Sequence, residues 1–489
     1  MKTIKYIYIS LFCVILTCFT SCQLTEDLDD YEPLFSLEAE TAIVDEATAE
    51  LALTGIYSGY GSFVGTGNPY FTMFPSVMSG LGTPGFGQDD ESRSIADNAA
   101  ISTGTIRLRG GYTGLYSIIN NANWLLQGIE NLGENDFSSP ARKDEIIAEA
   151  KAMRATANFY LLRLWGQFYD ANSKYGINLR VAPATDDTAF PRNTVADSYT
   201  TILSDLDDAI ATAPDLRAKF YVNKSYAKGL KAKVLLYQGE YSAAATLAQE
   251  VISGSGGDFQ LAGTFGEIFD NTTDALFNSN ELLFASRGIK NEEELWLGNI
   301  WGGFYAGLSQ TYRDVFTGTV VIDGQTINYD SGDRLLEDFS QGAGKYAEFF
   351  PFAGENYEMI YHLRMAEMYL VFAEAHARSN NAVTTDALEA LNAIRVRAGA
   401  TSTGADGFET YPATITLSQF LEAVRVEKWA ELGTEMGEEW FDLVRYHIVD
   451  GFDVSTVKPT ATNLDKFILP IPTESREAGG NVVEQNPSY

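Results

Sequence analysis

Residues 226–252, YAKGLKAKVLLYQGEYSAAATLAQEVI, set apolar or small side chains three and four apart, break at QGEY, and resume. That spacing puts them on one face of each of two helices, with Gly239 supplying the stop between them. A helix–turn–helix unit of this kind cannot bury its apolar stripe alone, so further helices must pack against it. Helical patterning recurs over about 37–57, 112–132, 141–167, 195–212, 223–252, 358–379, 384–398 and 416–433. At the start of the last segment Thr416 and Gln419 fit a capping box, in which hydroxyl and amide satisfy orphan backbone groups reciprocally.

Two Gly- and aromatic-rich regions, about 58–111 and 254–357, interrupt this pattern and read as irregular. Within the second, TVVIDGQTINY at 319–329 places two β-prone runs around Asp323-Gly324, which tolerates the positive φ angles of a type I′ hairpin turn. The stretch LLYQGEYSAAATLA resembles a tetratricopeptide (TPR) unit, and residues 369–395 repeat the layout loosely. The period is irregular, and ordinary antiparallel helix packing would leave the same pattern.

All three cysteines, Cys13, Cys18 and Cys22, fall near the N-terminus. Lys2 and Lys5 followed by the apolar YIYISLFCVILTCF form a signal-peptide pattern, too short before TEDLDD for the roughly 20 apolar residues of a spanning helix. Cleavage before Cys22 would leave a body without a disulfide, stabilised by a large core instead. Against 34 Lys and Arg stand 66 Asp and Glu, a net charge of −32. Such a field repels nucleic acid, anionic membrane faces and polyanionic ligands.

Catalytic motifs are scarce. GLGTPG at 80–85 matches the dinucleotide-binding pattern but lacks the strand before and the helix after it, and reads as a flexible Gly loop. The histidines are His362, His376 and His447, with no H-E-x-x-H, and no serine sits in G-x-S-x-G. His376 falls among Ala and Glu on a predicted helix, as a partly buried packing residue. Paired acids of a glycosidase need a specific separation that sequence does not show. DDE at 89–91 and EEE at 292–294 read as solvated loop charge.

Aromatic density in the irregular regions is the stronger signal. YGSFVGTGNPYFTMF carries Tyr60 and Tyr70, and LWLGNIWGGFYAGLSQTYRDVF carries Trp296, Trp301 and Tyr305. Rings flanked by glycine can stand exposed, and Tyr and Trp pair a large apolar area with a polar handle, which suits stacking on a sugar face. The candidate ligand site is therefore a platform of Trp296, Trp301 and Tyr305 opposite Tyr70 and Tyr60. Asn68, Asn299, Asp90, Arg93 and Arg313 are the hydroxyl contacts, with Tyr312 and Phe316 packing beneath.

Five stretches then occur in order: LRMAEMYLVFAEAHAR (363–378), ALEALNAIRVRAG (387–399), VRVEKWAEL (424–432), EEWFDLVRY (438–446) and FILPIPTESREAGGNVVEQNPSY (467–489). Together with GYTGLYSIINNANWLL, AEAKAMRATANFYLLRLWG and SYTTILSDLDDAI upstream, they closely resemble the SusD/RagB family of surface glycan-binding lipoproteins. The resemblance implies a mainly α SusD-like fold: four TPR-like helix pairs and an irregular, loop-rich half carrying a few short hairpins and the ligand site. It implies a non-enzymatic protein, lipid-anchored in the outer membrane and facing the cell exterior, over a SusC-like TonB-dependent transporter. The quoted signatures look like scaffold rather than ligand contacts. No cofactor is expected, and structural calcium is not predicted.

On this reading residues 1–21 are a signal peptide, 22–36 an acidic tether, and 37–489 a single SusD-like unit. Its helices fall at about 37–57, 112–252 and 358–433, its ligand loops at about 58–111 and 254–357, and its family tail at 434–489. FTSC is an imperfect lipobox, with Phe19 where Leu is usual, which makes Cys22 the lipid attachment site. The expected function is capture of a neutral oligo- or polysaccharide, with a peptide-binding RagB-like role as the alternative.

Overall fold

The computed structural model describes residues 42–61, 70–84, 90–99, 106–186, 188–254, 256–269, 279–290, 306–312, 319–322, 325–328, 334, 357–400 and 411–489. Its first part runs α1 (Glu46–Gly61), α2 (Tyr70–Ser79), β1 (Gly82–Pro84), α3 (Asp90–Ala96), α4 (Ile106–Glu130), α5 (Pro140–Trp165) and α6 (Val195–Thr212). Then come α7 (Lys224–Gln238), α8 (Tyr241–Gly254), β2 (Leu282–Lys290), β3 (Ala306–Leu308), β4 (Thr319–Ile322), β5 (Gln325–Asn328) and β6 (Tyr357–Arg364). The last part holds α9 (Met365–Asn380), α10 (Thr385–Arg397), α11 (Leu417–Leu432), α12 (Glu438–Asp450) and α13 (Thr473–Ala478).

Successive helices form a continuous array, α4 on α5, α5 on α6, α6 on α7, α7 on α8, α8 on α9 and α9 on α10. The pairs α4/α5, α7/α8, α9/α10 and α11/α12 are joined by short connections, which make their members antiparallel neighbours. The predicted stop at Gly239 is a left-handed cap, φ 79°, whose N–H reaches the carbonyls of Leu235 and Leu236. The predicted capping box is also present: Gln419 N–H donates to Thr416 Oγ1 (3.3 Å) and Thr416 N–H to Gln419 Oε1 (3.1 Å). The hairpin forms as β4 against β5, with Ile322 paired to Gln325 around Asp323-Gly324, which lie outside the described residues.

Four expectations need correction. Residues 42–45 precede rather than join α1, because Asp45 and Thr48 cap each other reciprocally and start the helix at Glu46. Residues 358–364 are strand, not helix, and pair antiparallel with β2. The region around 58–111 is less irregular than its glycines imply, since it holds α2 and α3. GLGTPG is not a free loop, because Gly82–Pro84 is strand β1.

Charge is buried in this core on a scale that composition hides. Arg364, 1% exposed, bonds Glu281 (2.6 Å), Glu431 (2.5 Å) and both carboxylate oxygens of Glu435 (2.9 Å each). Arg397 joins Glu281 and Glu431, and Arg334 joins Glu427 and Glu431. Another group gathers Lys428 and Arg445 on Glu374 and Asp442. A further one holds Glu438 between Arg163 and Lys233, with Tyr237 Oη donating to it at 2.9 Å. These residues come largely from the quoted stretches of α9, α11 and α12, so those signatures are scaffold.

The C-terminal motif is a clamp. Gln485 pairs its amide with the backbone of Ile471, donating to the carbonyl and accepting from the N–H, each at 2.8 Å. Asn486 Nδ2 donates to the carbonyls of Trp165 (2.9 Å) and Leu469 (2.6 Å). Trp165 Nε1 returns a bond to Pro470 O (3.1 Å), which fixes the tail to the end of α5.

Candidate functional site

The two aromatic-rich regions, distant in sequence, meet in the fold. β1 from the first pairs antiparallel with β3 from the second, in the register Gly82 to Leu308, Thr83 to Gly307 and Pro84 to Ala306. Ser309 N–H donates to Leu81 O (2.7 Å) and extends the junction by one bond. α2 and α3 both pack on β1, so one small cluster gathers the first region against the second.

This cluster stands on the helical scaffold. Ser76 of α2 donates its hydroxyl to Glu439 of α12, to which Thr434 N–H also donates (3.3 Å). Burial pushes the Glu439 carboxyl up to about 7, because a charge there is poorly solvated. Tyr312 is buried at 3% exposure, and its N–H donates to Ser309 Oγ (3.0 Å). Burial raises its phenol well above the usual range, and the Glu439 and Glu435 carboxylates add to that. Gly433 makes room for the ring, since a Cβ there would lie 2.5 Å from the Tyr312 hydroxyl. Tyr312 therefore packs beneath, as expected.

The remaining predicted site residues divide three ways. Asp90 opens α3 and Arg93 lies in its last turn, both exposed beside β1. Tyr70 opens α2. Trp296, Trp301, Tyr305, Asn68, Asn299, Arg313, Phe316 and Cys22 lie outside the described residues. Tyr60 is a correction: it is 0% exposed, with its ring 4.8 Å from His362 and 6.4 Å from Phe284. It closes the core of the β2–β6 ribbon and presents no face to a ligand. The His362 imidazole beside it is pushed down to about 3 by burial, so it stays neutral and shares a 2.5 Å hydrogen bond with Ser286.

His376 is the packing residue expected, stacked on Phe372 at 5.0 Å and bonded to Thr384 Oγ1 (2.8 Å). Among the described residues no group of three or more His, Cys, Asp or Glu is arranged to hold a metal ion. Sequence reasoning missed the Ser76–Glu439 anchor, for which a lone serine in an aromatic run gives no signal.

Residues 353–489 match the SusD family, and residues 88–236 match a family described as starch-binding, associating with the outer membrane. Both stretches of the chain thus match SusD-type families. The chain is 26% identical to a SusD-like protein of Bacteroides ovatus over 69% of this chain and 65% of that protein, so it matches slightly under two thirds of that relative's length. The fold is shared with a SusD superfamily protein of Bacteroides thetaiotaomicron, at a TM-score of 0.70 and 22% identity, covering 91% of this chain and 100% of that one. A laminarin-binding SusD-like protein superposes with a TM-score of 0.69 at 20% identity, covering 91% and 100%. The SusD family is one of carbohydrate-binding proteins, and its members' names point to binding rather than catalysis. No helix among the described residues is long and apolar enough to cross a membrane.

Proposed function

We propose that this protein captures a neutral oligo- or polysaccharide at the outer face of the outer membrane and passes it to a SusC-like TonB-dependent transporter. Capture is non-catalytic and needs no cofactor. The observation that carries the reading is the β1–β3 pairing, which draws together the two aromatic-rich regions bearing Tyr70 on one side and Trp296, Trp301 and Tyr305 on the other. Asp90 and Arg93, exposed next to β1, supply polar contacts. A net charge of −32 favours a neutral polymer over a uronate or sulfate one.

Titration with neutral and acidic glycans tests this reading. Trp296→Ala combined with Trp301→Ala is expected to weaken binding by about 100-fold or more, since buried aromatic anchors each contribute roughly 2 kcal/mol or more at hot spots. Full affinity in the double variant would remove the platform. Binding of peptides but of no glycan would replace the reading with the RagB-like one.

Anchoring rests on Cys22, which follows the signal-peptide pattern. Cys22→Ala is expected to move the protein from the membrane to the soluble fraction, because stable attachment takes two acyl chains at ~0.8 kcal/mol per buried CH₂. Unchanged membrane retention in that variant would rule out lipidation there.

A further inference from the structure

In the connection between α5 and α6, the described residues 166–186 and 188–194 include no helix or strand, a length that is uncommon unless the segment has a task. Several of its residues are nonetheless held in place. Gly176 N–H donates to Asn193 O (3.1 Å) and Asn123 Nδ2 to the carbonyls of Arg180 and Ala182 (3.1 and 3.0 Å). The Arg192 guanidinium bridges Gly176 O, Trp165 O and Asn486 Oδ1. This ordering leaves Phe190 48% exposed, with the Arg180 guanidinium 4.6 Å above its ring.

Beside that ring lies a cavity of about 330 Å³ between the loop, α4 and α13, whose lining includes Tyr112, Tyr116, Arg180, Asp186, Phe190 and Ser475. That volume is at the small end of the ~300–1,000 Å³ range of ligand pockets. Its polar groups retain bonding capacity. Among the described residues Arg180 donates one long bond, to Thr188 O at 3.4 Å, and forms no ion pair. Asp186, exposed, accepts from Thr188 N–H through Oδ1 (2.9 Å); the Thr188 backbone and side chain, with the Arg180 charge, hold its carboxyl below the usual range.

We infer that this cavity is a second saccharide contact, seating one pyranose unit against Phe190 with its hydroxyls between Arg180 and Asp186. The aromatic wall receives the apolar C–H face of the ring. The hydroxyls donate to Asp186 Oδ2 and accept from the Arg180 N–H groups, so both charges stay hydrogen-bonded when water leaves. An apolar side chain of a protein partner would leave both without the partners that hydroxyls supply. The ligand class rests on the glycan reading above, whereas the place does not, since none of the residues proposed for the loop platform lines this cavity. Two contacts on one polymer raise its affinity through effective concentration without altering either contact.

The test is ¹⁹F NMR of the mature chain with 4-fluorophenylalanine incorporated at position 190, titrated with millimolar laminaribiose, cellobiose, maltose and xylobiose. A saturable shift with one of these disaccharides is expected. It should persist in the Trp296→Ala/Trp301→Ala variant and vanish in Arg180→Ala/Asp186→Asn. A silent resonance, in a protein that calorimetry shows binding a polysaccharide, overturns this cavity while sparing the loop platform. A persistent shift with polysaccharide affinity indifferent to the two tryptophans upholds the cavity and removes the platform. No shift and no polysaccharide binding overturns both.

Discussion

Arg364→Met is expected to lower the stability of the protein by about 3–5 kcal/mol, the cost of breaking a buried ion pair from one side. Arg364 sits at the start of α9 with 1% exposure and answers three carboxylates, Glu281, Glu431 and Glu435. Removing it leaves Glu281 to Arg397 and Glu431 to Arg397 and Arg334, and strips from Glu435 its two 2.9 Å guanidinium bonds. The excess negative charge then lies in a place where water does not screen it. Arg364→Lys should recover only part of the loss, because an ammonium cannot reproduce the planar fork that reaches Glu435 with two donors. Urea unfolding measures this as a fall in midpoint at unchanged slope. A change below about 1 kcal/mol for Arg364→Met would show that the network contributes specificity without stability. A double-mutant cycle with Glu435→Gln isolates the pair.

That network explains why some of the molecule was legible from sequence and some was not. Local signals were read where they are chemical: the Gly239 stop, the Thr416–Gln419 box, the Asp-Gly turn, and helix 195–212. The strand at 357–364 was read as helix because its periodicity is erased. Ile360, Tyr361, His362, Leu363 and Arg364 are all buried, so neither face alternates, and a short apolar run does not separate strand from helix. Residues 438–450 carry Glu438, Glu439, Asp442 and Arg445, which pattern alone assigns to solvent, yet they are buried and answered by partners far away in sequence.

The candidate site was half legible. Which regions meet was read from aromatic density, and the β1–β3 register brings them together. Which rings face a ligand was not readable. Tyr60 and Tyr70 sit in equally glycine-rich surroundings, and only the fold sends Tyr60 into the core against Phe284. Arg180 and Phe190 gave no motif at all, because their proximity depends on a loop folded by Arg192 and Asn123.

Acidification is expected to unfold the protein, with the steepest loss of stability between about pH 5 and pH 3. The Arg397, Arg364 and Arg334 guanidinium groups hold Glu431 down to about 2 against burial, and Arg163 and Lys233 do the same for Glu438. Arg445, Lys428 and Arg378 hold Glu374 well below the usual carboxylate range. Unfolded, these glutamates titrate near 4.3. A depressed carboxyl contributes stability above that value and loses it as pH falls toward 2, at about 3 kcal/mol for one such group. Among the described residues Glu431 and Glu438 share no ion-pair partner, so their losses should add approximately. Glu439 works with the opposite sign. Its carboxyl is raised to about 7, so its contribution is complete below about pH 4 and is lost as pH climbs through 7. The buried His362, held down to about 3, opposes it: the unfolded imidazole takes up a proton below about pH 6.5 and the folded one does not, so the two offset each other from there to about pH 4. Urea midpoints measured from pH 3 to pH 8 should therefore change little from pH 8 to pH 5 and fall steeply below it. Glu439→Gln should remove that offset, so that midpoints already decline from about pH 6.5 to pH 5, and leave the steep loss below about pH 4 in place. An acid limb that moves with Glu439→Gln, or midpoints constant between pH 5 and pH 3, would mean that the buried pairs are not what limits this fold in acid.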